Sequence, residues 1–322
     1  MDNLNKNLKI SIDLMGGDNS PDKTLQGIDL FVKRYKNKND YFFYLFGDAA
    51  TVAPKIKKLK YLKSNYKIID TKIVVSNELS ALSALKKGKG SSMWESIQSQ
   101  ITLNSDVTLS AGNTGVFLVM SKMILKMMEG IDRPALAGLW PSDEGMNLVL
   151  DLGANIECSA KNLVDFSIMG ASLYKSLYPH EHPNVALLNI GSEELKGNEI
   201  IKETFQILND KKTDDFKFSG YIEGNELMNG EVNVIISDGF TGNVALKTAE
   251  GTANFITDEL KKALSGNLLG KISSMLNISN LKKFKKRLDP RLYNGAIFIG
   301  LDTPVVKSHG GTDYIGFSNS LN

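Results

Sequence analysis

The amino-acid sequence predicts an α/β protein built as a three-layer α/β/α sandwich around a mainly parallel sheet. Short β-rich runs alternate with longer segments of helical pattern along the chain. Most of these runs end at small or polar residues, as strands do when a helix follows them. A length of 322 residues allows one large α/β domain or two smaller ones, and we expect a single domain over residues 1–322.

The β-rich runs follow one another in order from the N-terminus. Lys9–Asp13 is the first strand candidate, with a helical pattern near Asp22–Tyr35, and Tyr41–Gly47 is the second, with a helix from about Asp48. The later candidates are KIVV, DVTLS, NLVLDLG, NVALLNIG and NVIISDG. Ligands of parallel sheets lie outside the carboxyl ends of the strands. We therefore expect the site in the glycine-rich clusters after these runs, gathered at one edge of the sheet.

The composition is that of a soluble globular protein, with 42% apolar and 23% charged residues. Cys158 is the single cysteine, which excludes an internal disulfide framework and fits a reducing compartment. The chain has 38 basic and 36 acidic residues, so its net charge is +2. This balance argues against a protein that binds nucleic acid over its whole surface.

No targeting or membrane-spanning segment is visible. The N-terminus lacks a basic region followed by an apolar one, so we see no secretory signal. The most apolar stretch, Val116–Met128, is broken by Lys122 and Lys126 and is too short to span a membrane. These features predict a cytoplasmic protein that can touch a membrane surface.

Two glycine-rich clusters are candidates for binding an anion. Gly16, Gly17 and Asp18 lie in DLMGGDNSP, where paired glycines let the backbone approach a ligand; a plain strand-to-helix turn is the alternative. The second cluster is SAGNTG, whose small residues at a helix start present N–H groups and hydroxyls to an anion. Its candidate residues are Ser110, Gly112, Asn113 and Thr114.

Arg133, in the next loop, is positioned in sequence to hold the same anion with two hydrogen bonds. The alternatives are an ordinary capped helix start for SAGNTG and a surface ion pair for Arg133. In LDLGANIEC, Asn155 is a further binding candidate at a strand end. Cys158 invites a covalent mechanism, which we disfavour because no histidine lies near it in sequence.

Three later clusters carry candidate catalytic residues. Lys196, in LLNIGSEELKGNE, can neutralise an oxyanion or be an ordinary solvated lysine. In SDGFTGNVALKTAEG, Asp238 ends a strand and Asn243 begins a helix, either as an oxyanion donor or as the helix cap. His309, in VVKSHGG, is as often structural as catalytic at such a position.

Several common motifs are absent. The chain has no GxGxxG dinucleotide fingerprint, no GxxxxGK[ST] P-loop and no GxSxG nucleophile elbow. Three histidines and one cysteine leave no recognisable zinc spacing, so we predict no metal site.

A basic amphipathic helical insertion is expected at about residues 265–288. Six basic residues and no acid occur between Ser265 and Arg287, and apolar residues recur there every three or four positions. Such a segment can dock on anionic lipid. It can equally be a solvated helix with a core face, or contact a partner. The apolar residues expected to enter the lipid are Leu268, Leu269, Ile272, Met275 and Leu276.

Together these motifs closely resemble the phosphate acyltransferase family, the enzymes of bacterial phospholipid synthesis that transfer an acyl group from acyl carrier protein to phosphate. The matching stretches are DLMGGDNSP, LKKGKGSSM, SAGNTG, GIDRPAL, LDLGAN, LLNIGSEELKGNE, SDGFTGNVALKTAEG, YNGAIFIGL and VVKSHG. They follow the family's order from residue 10 to residue 311.

The resemblance implies a fold similar to that of phosphotransacetylases and of isocitrate and isopropylmalate dehydrogenases. It also implies a homodimer at the inner face of the cell membrane, acyl carrier protein and inorganic phosphate as substrates, no cofactor, and a glycerol-3-phosphate acyltransferase downstream. Ser83 and Leu85 stand in a stretch where the family often has arginine, which leaves open which basic residues contact the carrier.

In the implied reaction phosphate is itself the nucleophile, in agreement with the missing nucleophile motif. The thiolate leaves readily because its conjugate acid has a pKa of about 8.5. Ser110, Asn113 and Thr114, assisted by Arg133, would hold phosphate. Lys196 and Asn243 would stabilise charge at the carbonyl, and Asp238 and His309 would orient them or handle protons.

Three other functions remain open at this stage. A phosphotransacetylase-like enzyme would act on acyl-coenzyme A, and acyl length in an assay would separate it. A dehydrogenase of the isopropylmalate type would bind a metal and a nicotinamide. A non-catalytic phosphate or lipid-surface regulator would bind ligands without turnover.

Overall fold

The computed structural model describes residues 7–35, 40–76, 81–211, 213–266 and 275–322. The strands are β1 (Leu8–Asp13), β2 (Tyr41–Gly47), β3 (Tyr66–Asp70), β4 (Val107–Ser110), β5 (Ala135–Ser142), β6 (Gly145–Leu150), β7 (Asn184–Asn189), β8 (Lys217–Glu223), β9 (Val234–Ile236), β10 (Ala296–Ile299) and β11 (Val305–Lys307). The helices are α1 (Asp22–Arg34), α2 (Ala49–Lys58), α3 (Ala81–Lys87), α4 (Ser92–Thr102), α5 (Thr114–Leu125), α6 (Ala160–Leu177), α7 (Glu199–Asp210), α8 (Gly239–Ser265), α9 (Ile278–Arg287) and α10 (Tyr314–Asn319), with a 3-10 turn at Pro290–Tyr293.

The described strands form one eleven-stranded sheet in the order β3-β2-β1-β4-β11-β10-β5-β6-β9-β7-β8. Helices cover both faces, as the near-continuous apolar character of the central strands requires. In β6, Leu148 and Leu150 pack in the core with Phe166 of α6. Val149 between them packs in another core with Phe117 of α5. Alternate side chains of one strand therefore enter two different helical layers, which confirms the predicted three-layer α/β fold.

The strands form two parallel groups that run in opposite directions. β3, β2, β1, β4 and β11 are mutually parallel, as are β6, β9, β7 and β8. Between the groups, β10 is antiparallel to β11 and to β5, and β5 is antiparallel to β6. The carboxyl ends of the two groups thus point in opposite directions, so our expectation that all the clusters lie at one edge of a parallel sheet is wrong. The register nevertheless brings the end of β6 level with the end of β11, since Val149 pairs with Gly138, and the adjacent Ala137 is linked through Ile297 to Val306.

The strand boundaries differ from the prediction at KIVV. This run is not a strand; Ile73 forms only an isolated bridge to Ser91. The third strand is instead the preceding segment Tyr66–Asp70, which pairs with β2 at the margin of the sheet.

Helix α8 is the longest helix in the described residues. Its 27 residues correspond to about 40 Å of helix. It begins after β9, where the backbone N–H of Gly239 donates to the carbonyl oxygen of Asn155 at 2.7 Å. A Cβ on Gly242 would lie 2.0 Å from the Asp151 carbonyl oxygen, so the first turn of α8 docks directly on the loop after β6. Ala245, Leu246 and Ala249 then pack against the core that contains Phe117.

The basic segment after α8 is helical where it is described. α9 spans Ile278–Arg287 and none of its residues is buried. Met275 and Leu276 are exposed, whereas Leu268, Leu269 and Ile272 lie outside the described residues. The Arg287 guanidinium donates to a carboxylate oxygen of Asp143 at 2.8 Å, which ties α9 to the β5–β6 hairpin.

Over the described ranges we find no helix with both the length and the apolar character needed to cross a bilayer.

The docking of α8 predicts opposite effects for two glycine substitutions in that helix. Gly242→Ala should lower the free energy of unfolding by about 1–3 kcal/mol, because its methyl group meets backbone. Gly251→Ala, where a Cβ meets nothing within 4 Å, should raise it by about 0.5–1 kcal/mol through helix propensity. Urea unfolding of both variants measures this; a Gly242→Ala protein as stable as Gly251→Ala would contradict the docking.

Candidate active site

The turns after β1 and β4 are joined by a buried hydrogen bond. The Ser110 hydroxyl donates to a carboxylate oxygen of Asp13 at 2.7 Å and accepts from the Gly112 N–H at 3.0 Å. Burial raises the pKa of the Asp13 carboxyl, and hydrogen bonds from Ser110 and Ser92 oppose that shift. A Cβ on Gly16 would lie 2.5 Å from the same carboxylate and 2.7 Å from the Gly112 nitrogen. The two turns can approach this closely only because Gly16 has no side chain.

A buried lysine closes the third side of this cluster. Lys23, in the first turn of α1, is 5% exposed, and its ammonium donates to the Gly310 carbonyl oxygen at 2.5 Å. Gly17 has φ of +83°, and a Cβ there would lie 3.0 Å from the Lys23 Nζ and 2.8 Å from the Ala111 carbonyl oxygen. The Asp18 N–H also donates to Gly310. The loops after β1, β4 and β11 therefore meet at one place, as predicted for the first two.

A second buried lysine lies at the end of β11. Lys307 is 7% exposed, and its ammonium donates to the neighbouring Ser308 carbonyl oxygen. Burial lowers the pKa of Lys307 to about 8; the charges of Lys23 and Lys247 lower it further, and the charge of Asp13 opposes them. Burial likewise lowers the pKa of Lys23. The charge of Asp18 opposes the shift at Lys23, as that of Asp13 does at Lys307, so the two desolvated ammonium groups lie beside different carboxylates.

His309 lies beside Lys247 of α8. The two side chains approach to 3.4 Å between the His309 Nε2 and the Lys247 Nζ, and Glu250 holds Lys247 in an ion pair of 2.7 Å. The Gly311 N–H donates to the His309 Nδ1 at 3.2 Å. Partial desolvation and then the Lys247 charge lower the pKa of His309. This contact joins α8, which begins after β9 in one half of the sheet, to the loop after β11 in the other half.

In the second half of the sheet, a buried carboxylate organises the loop after β6. Asp151 is fully buried, and its two oxygens accept hydrogen bonds of 2.7–3.1 Å from five N–H groups. The donors are the backbone of Leu136, Gly153, Ala154 and Asn155 and the side-chain amide of Asn155. Burial raises the pKa of Asp151, and these bonds oppose the shift. Asn155 therefore stabilises the loop that receives α8.

The alternative interpretation of Asn243 as the cap of α8 is wrong. Asp238, not Asn243, is the N-cap, and its carboxylate accepts from the Thr241 N–H and hydroxyl at 2.8 Å each. Asn243 lies inside the helix, exposed, and a Cβ on Gly153 would come within 3.6 Å of its side chain. Because Asn243 and Lys247 are four residues apart, they lie on one face of α8. On that face, Asn243 lies beside the loop after β6 and Lys247 lies beside His309 in the loop after β11.

The other predicted residues are carried by other loops and by α5. Lys196 is exposed in the loop after β7, where its carbonyl oxygen accepts from the Asn189 amide at 3.2 Å. The Arg133 guanidinium donates to the Glu157 carbonyl oxygen at 2.8 Å, in the loop after β6 rather than beside SAGNTG. Asn113 is the N-cap of α5, with its side chain accepting from the Val116 N–H, and Thr114 is the first residue of that helix.

Burial raises the pKa of the Cys158 thiol to about 11, which keeps it protonated and unreactive. Within the described ranges, His, Cys, Asp and Glu side chains form no group of three or more able to hold a metal ion.

The predicted site residues do not include three lysines of the site. Lys247 lies in the quoted motif SDGFTGNVALKTAEG, four residues after Asn243, and Lys307 lies two residues before His309. A spacing of four residues places Lys247 on the same helix face as Asn243. A spacing of two residues places Lys307 on the same side of an extended chain as His309. Lys23 has no such signal, because its role depends on a carbonyl group 287 residues away.

Comparison with known proteins decides the family. A family model described as "Fatty acid synthesis protein" matches residues 8–322. The chain is 64% identical over 318 residues to the phosphate acyltransferase of Pelagibacter ubique, covering 99% of this chain and 94% of that protein. It belongs to the phosphate acyltransferase family. The phosphate acyltransferase of Rhodospirillum rubrum is 44% identical over 99% of this chain and 90% of its own length.

Among solved structures, the EutD phosphotransacetylase of Staphylococcus aureus superposes with a TM-score of 0.61 at 15% identity, over 98% of this chain and 92% of that one. This similarity confirms the predicted fold class. Membership of the phosphate acyltransferase family makes the protein an acyltransferase enzyme, as the motifs predicted.

The lowered pKa of Lys307 predicts a pH-dependent stability. The folded pKa of about 8 lies below the ordinary 10.5, so between these pH values the unfolded chain binds more protons and the free energy of unfolding rises with pH. Lys307→Met should remove roughly 2–3 kcal/mol of that rise between pH 7.5 and 10.

Urea unfolding at the two pH values tests this, with Lys262→Met as the control. Lys262 is exposed on α8 and pairs with Glu259, so its variant should keep the rise of the natural protein. A rise that is equal in both variants would show that the Lys307 amine is not destabilised by burial.

Proposed function

We propose that the protein transfers a long-chain acyl group from acyl carrier protein to inorganic phosphate, which yields acyl phosphate and free carrier for phosphatidic acid synthesis. A phosphate oxygen attacks the thioester carbon, the C–O bond forms and the C–S bond breaks. The proton of HPO₄²⁻ ends on the carrier sulfur, so the products are the acyl phosphate dianion and a thiol. No enzyme nucleophile is needed, which agrees with the protonated state of the Cys158 thiol.

The observation that carries this proposal is the positive cluster at the ends of β1, β4 and β11 in a member of the phosphate acyltransferase family. Lys23 and Lys307 are buried there, with Asp18 acting on the first and Asp13 on the second. Next to the buried Gly16, the half-buried Gly17 and the exposed Asp18 remain accessible to a ligand close to these charges. A site of this kind favours a small dianion over a neutral substrate.

In the proposed mechanism the phosphate lies against Gly16, Gly17, Asp18, Gly112 and the first turn of α5, at Asn113 and Thr114. The Ser110 hydroxyl is bonded to Asp13 and fixes the turn rather than the anion. Asn243 and Lys196 stabilise negative charge at the reacting carbonyl. Asp238 keeps Asn243 in place by capping α8, His309 acts on the phosphate side, and Asn155 supports the loop beneath Asn243. Arg133 is proposed only for contacts with the acyl substrate, because it lies in the loop before β5 and is bonded to Glu157 in the loop after β6.

The proposal includes a homodimer in the cytoplasm that associates peripherally with the membrane and supplies acyl phosphate to a glycerol-3-phosphate acyltransferase. Several large apolar side chains of α8 are exposed, which supports an intermolecular contact. They are Phe240, Val244, Phe255 and Ile256. The exposed lysines of α9 support an attraction to anionic lipid.

The reaction is tested by phosphate-dependent release of free thiol from palmitoyl acyl carrier protein. Lys196→Ala and Asn243→Ala should each lower turnover about 100-fold, because loss of one oxyanion donor costs about 3 kcal/mol of barrier. Lys262→Ala, at an exposed ion pair of α8, serves as the control and should keep full turnover.

Near-normal turnover in both active-site variants would remove these residues from the mechanism. The alternative function, a phosphotransacetylase-like enzyme that uses acyl-coenzyme A, would instead show turnover with acetyl-coenzyme A that exceeds turnover with the palmitoyl carrier protein.

Membrane association is tested by flotation with vesicles of anionic lipid. The protein should float at low salt and lose binding at high salt, since each surface lysine or arginine contributes about 1 kcal/mol of screened attraction. Replacing Lys282, Lys283, Lys285 and Lys286 of α9 with Gln should abolish flotation at low salt. Failure of the natural protein to float at either salt concentration would contradict the docking, and zwitterionic vesicles provide the control.

A further inference from the structure

The hydrogen bonds of His309 fix which of its ring nitrogens carries the proton. A backbone N–H is always a donor, and the Gly311 N–H points at the Nδ1 at 3.2 Å. The Nδ1 must therefore offer its lone pair, which leaves the proton of the neutral ring on the Nε2. The neutral form is the favoured one here, because Lys247, Lys307 and Lys23 all oppose a positive charge on the ring, and only Glu250 favours it.

Two donors then face each other across the gap between α8 and the loop after β11. The His309 Nε2–H lies 3.4 Å from the Lys247 ammonium, which has protons and no lone pair. The two groups cannot hydrogen bond to each other in this tautomer. The Glu250 carboxylate accepts a hydrogen bond from the Lys247 ammonium at 2.7 Å, and the other N–H groups of the ammonium are available to another acceptor. An oxygen atom with negative charge, placed beside both nitrogens, would satisfy both donors at once.

We propose that Lys247 and His309 form a two-donor clamp that binds one oxygen of the inorganic phosphate substrate. This inference rests on the proposed function, in which phosphate is the nucleophile. Lys23 and Lys307 lie behind the clamp and add positive potential without touching the same oxygen. The carboxylates around it are Glu250, which positions Lys247, and Asp13 and Asp18, which belong to the turns after β1.

The position on α8 explains why this oxygen would belong to phosphate and not to the acyl carbonyl. Asn243, the proposed carbonyl donor, lies one turn before Lys247 on the same helix, a rise of about 6 Å. The clamp is at the end of that face nearer the buried lysines, and Asn243 is at the end nearer the Asp151 loop. A dianion at the clamp and an acyl carbon at Asn243 would thus be held side by side, as attack by phosphate requires.

The test compares Lys247→Met, His309→Ala and His309→Gln with Lys262→Met, which removes an equivalent lysine–glutamate pair of α8. At saturating palmitoyl carrier protein, the KM for phosphate should rise at least tenfold in Lys247→Met and His309→Ala, about 1.4 kcal/mol of lost binding. His309→Gln keeps an N–H donor and should recover part of that loss. The KM for the acyl carrier protein should stay within twofold in every variant.

A second readout does not depend on turnover. Nitrogen-15 NMR of the three histidines of the chain should show the His309 proton on Nε2. Inorganic phosphate, without acyl substrate, should shift the Nε2 signal in the natural protein and in Lys262→Met, but not in Lys247→Met.

An unchanged KM for phosphate, a proton on Nδ1, or a phosphate response that survives Lys247→Met would each overturn the clamp. A rise in the KM for the acyl carrier protein alone would assign the two donors to the acyl substrate and also overturn it. If the natural protein shows no phosphate-dependent thiol release, the proposed function fails, while the NMR titration still decides whether the clamp binds phosphate.

Discussion

The buried carboxylate of Asp151 is the interaction on which the geometry of the site depends. Five N–H donors shape the loop after β6 around its two oxygens. The first turn of α8 then docks on this loop through Gly239 and Gly242, with no space for a side chain at either position. The direction of α8 is thereby set within its first turn, and everything that this long helix carries takes its place from that contact.

The cluster at the ends of β1, β4 and β11 is characterised by buried charged groups more than by the number of its hydrogen bonds. Lys23 and Lys307 are both desolvated, and burial lowers the pKa of each. Burying such groups destabilises the fold, and two of them in one place are more typical of a functional site than of a core. Most ion pairs elsewhere in the described chain, such as that between Lys161 and Asp132, are exposed and contribute little to stability.

Local sequence pattern was sufficient for the fold class and for the strands at the N-terminal side. β1 and β2 were predicted almost to the residue, because each is a β-rich run with polar residues at both ends. β5 was not identified, since Gly138 and Pro141 within it are typical of loops, and its strand character depends on pairing with β10 more than 150 residues later. The third strand was likewise predicted at KIVV instead of at β3, because the two runs have similar composition.

The largest error concerned the direction of the strands. A two-residue turn at Asp143 and Glu144 makes β5 and β6 an antiparallel hairpin, and this reverses the second half of the sheet. Alternation of strands and helices carries no information about such a reversal. Candidate residues such as Asn113, Asn243 and His309 were recognised from motifs. Which of them lie close together depends on how α8 packs, and the local sequence does not contain that information.

The reversed sheet also determines where the loops of its two halves meet. A uniformly parallel sheet has one rim where its loops can receive ligands. Here the two halves run in opposite directions, yet the ends of β6 and β11 come to nearly the same level, and α8 contacts the loops after both strands. A change in the angle between the two halves would therefore alter the spacing between the two clusters while leaving each cluster intact.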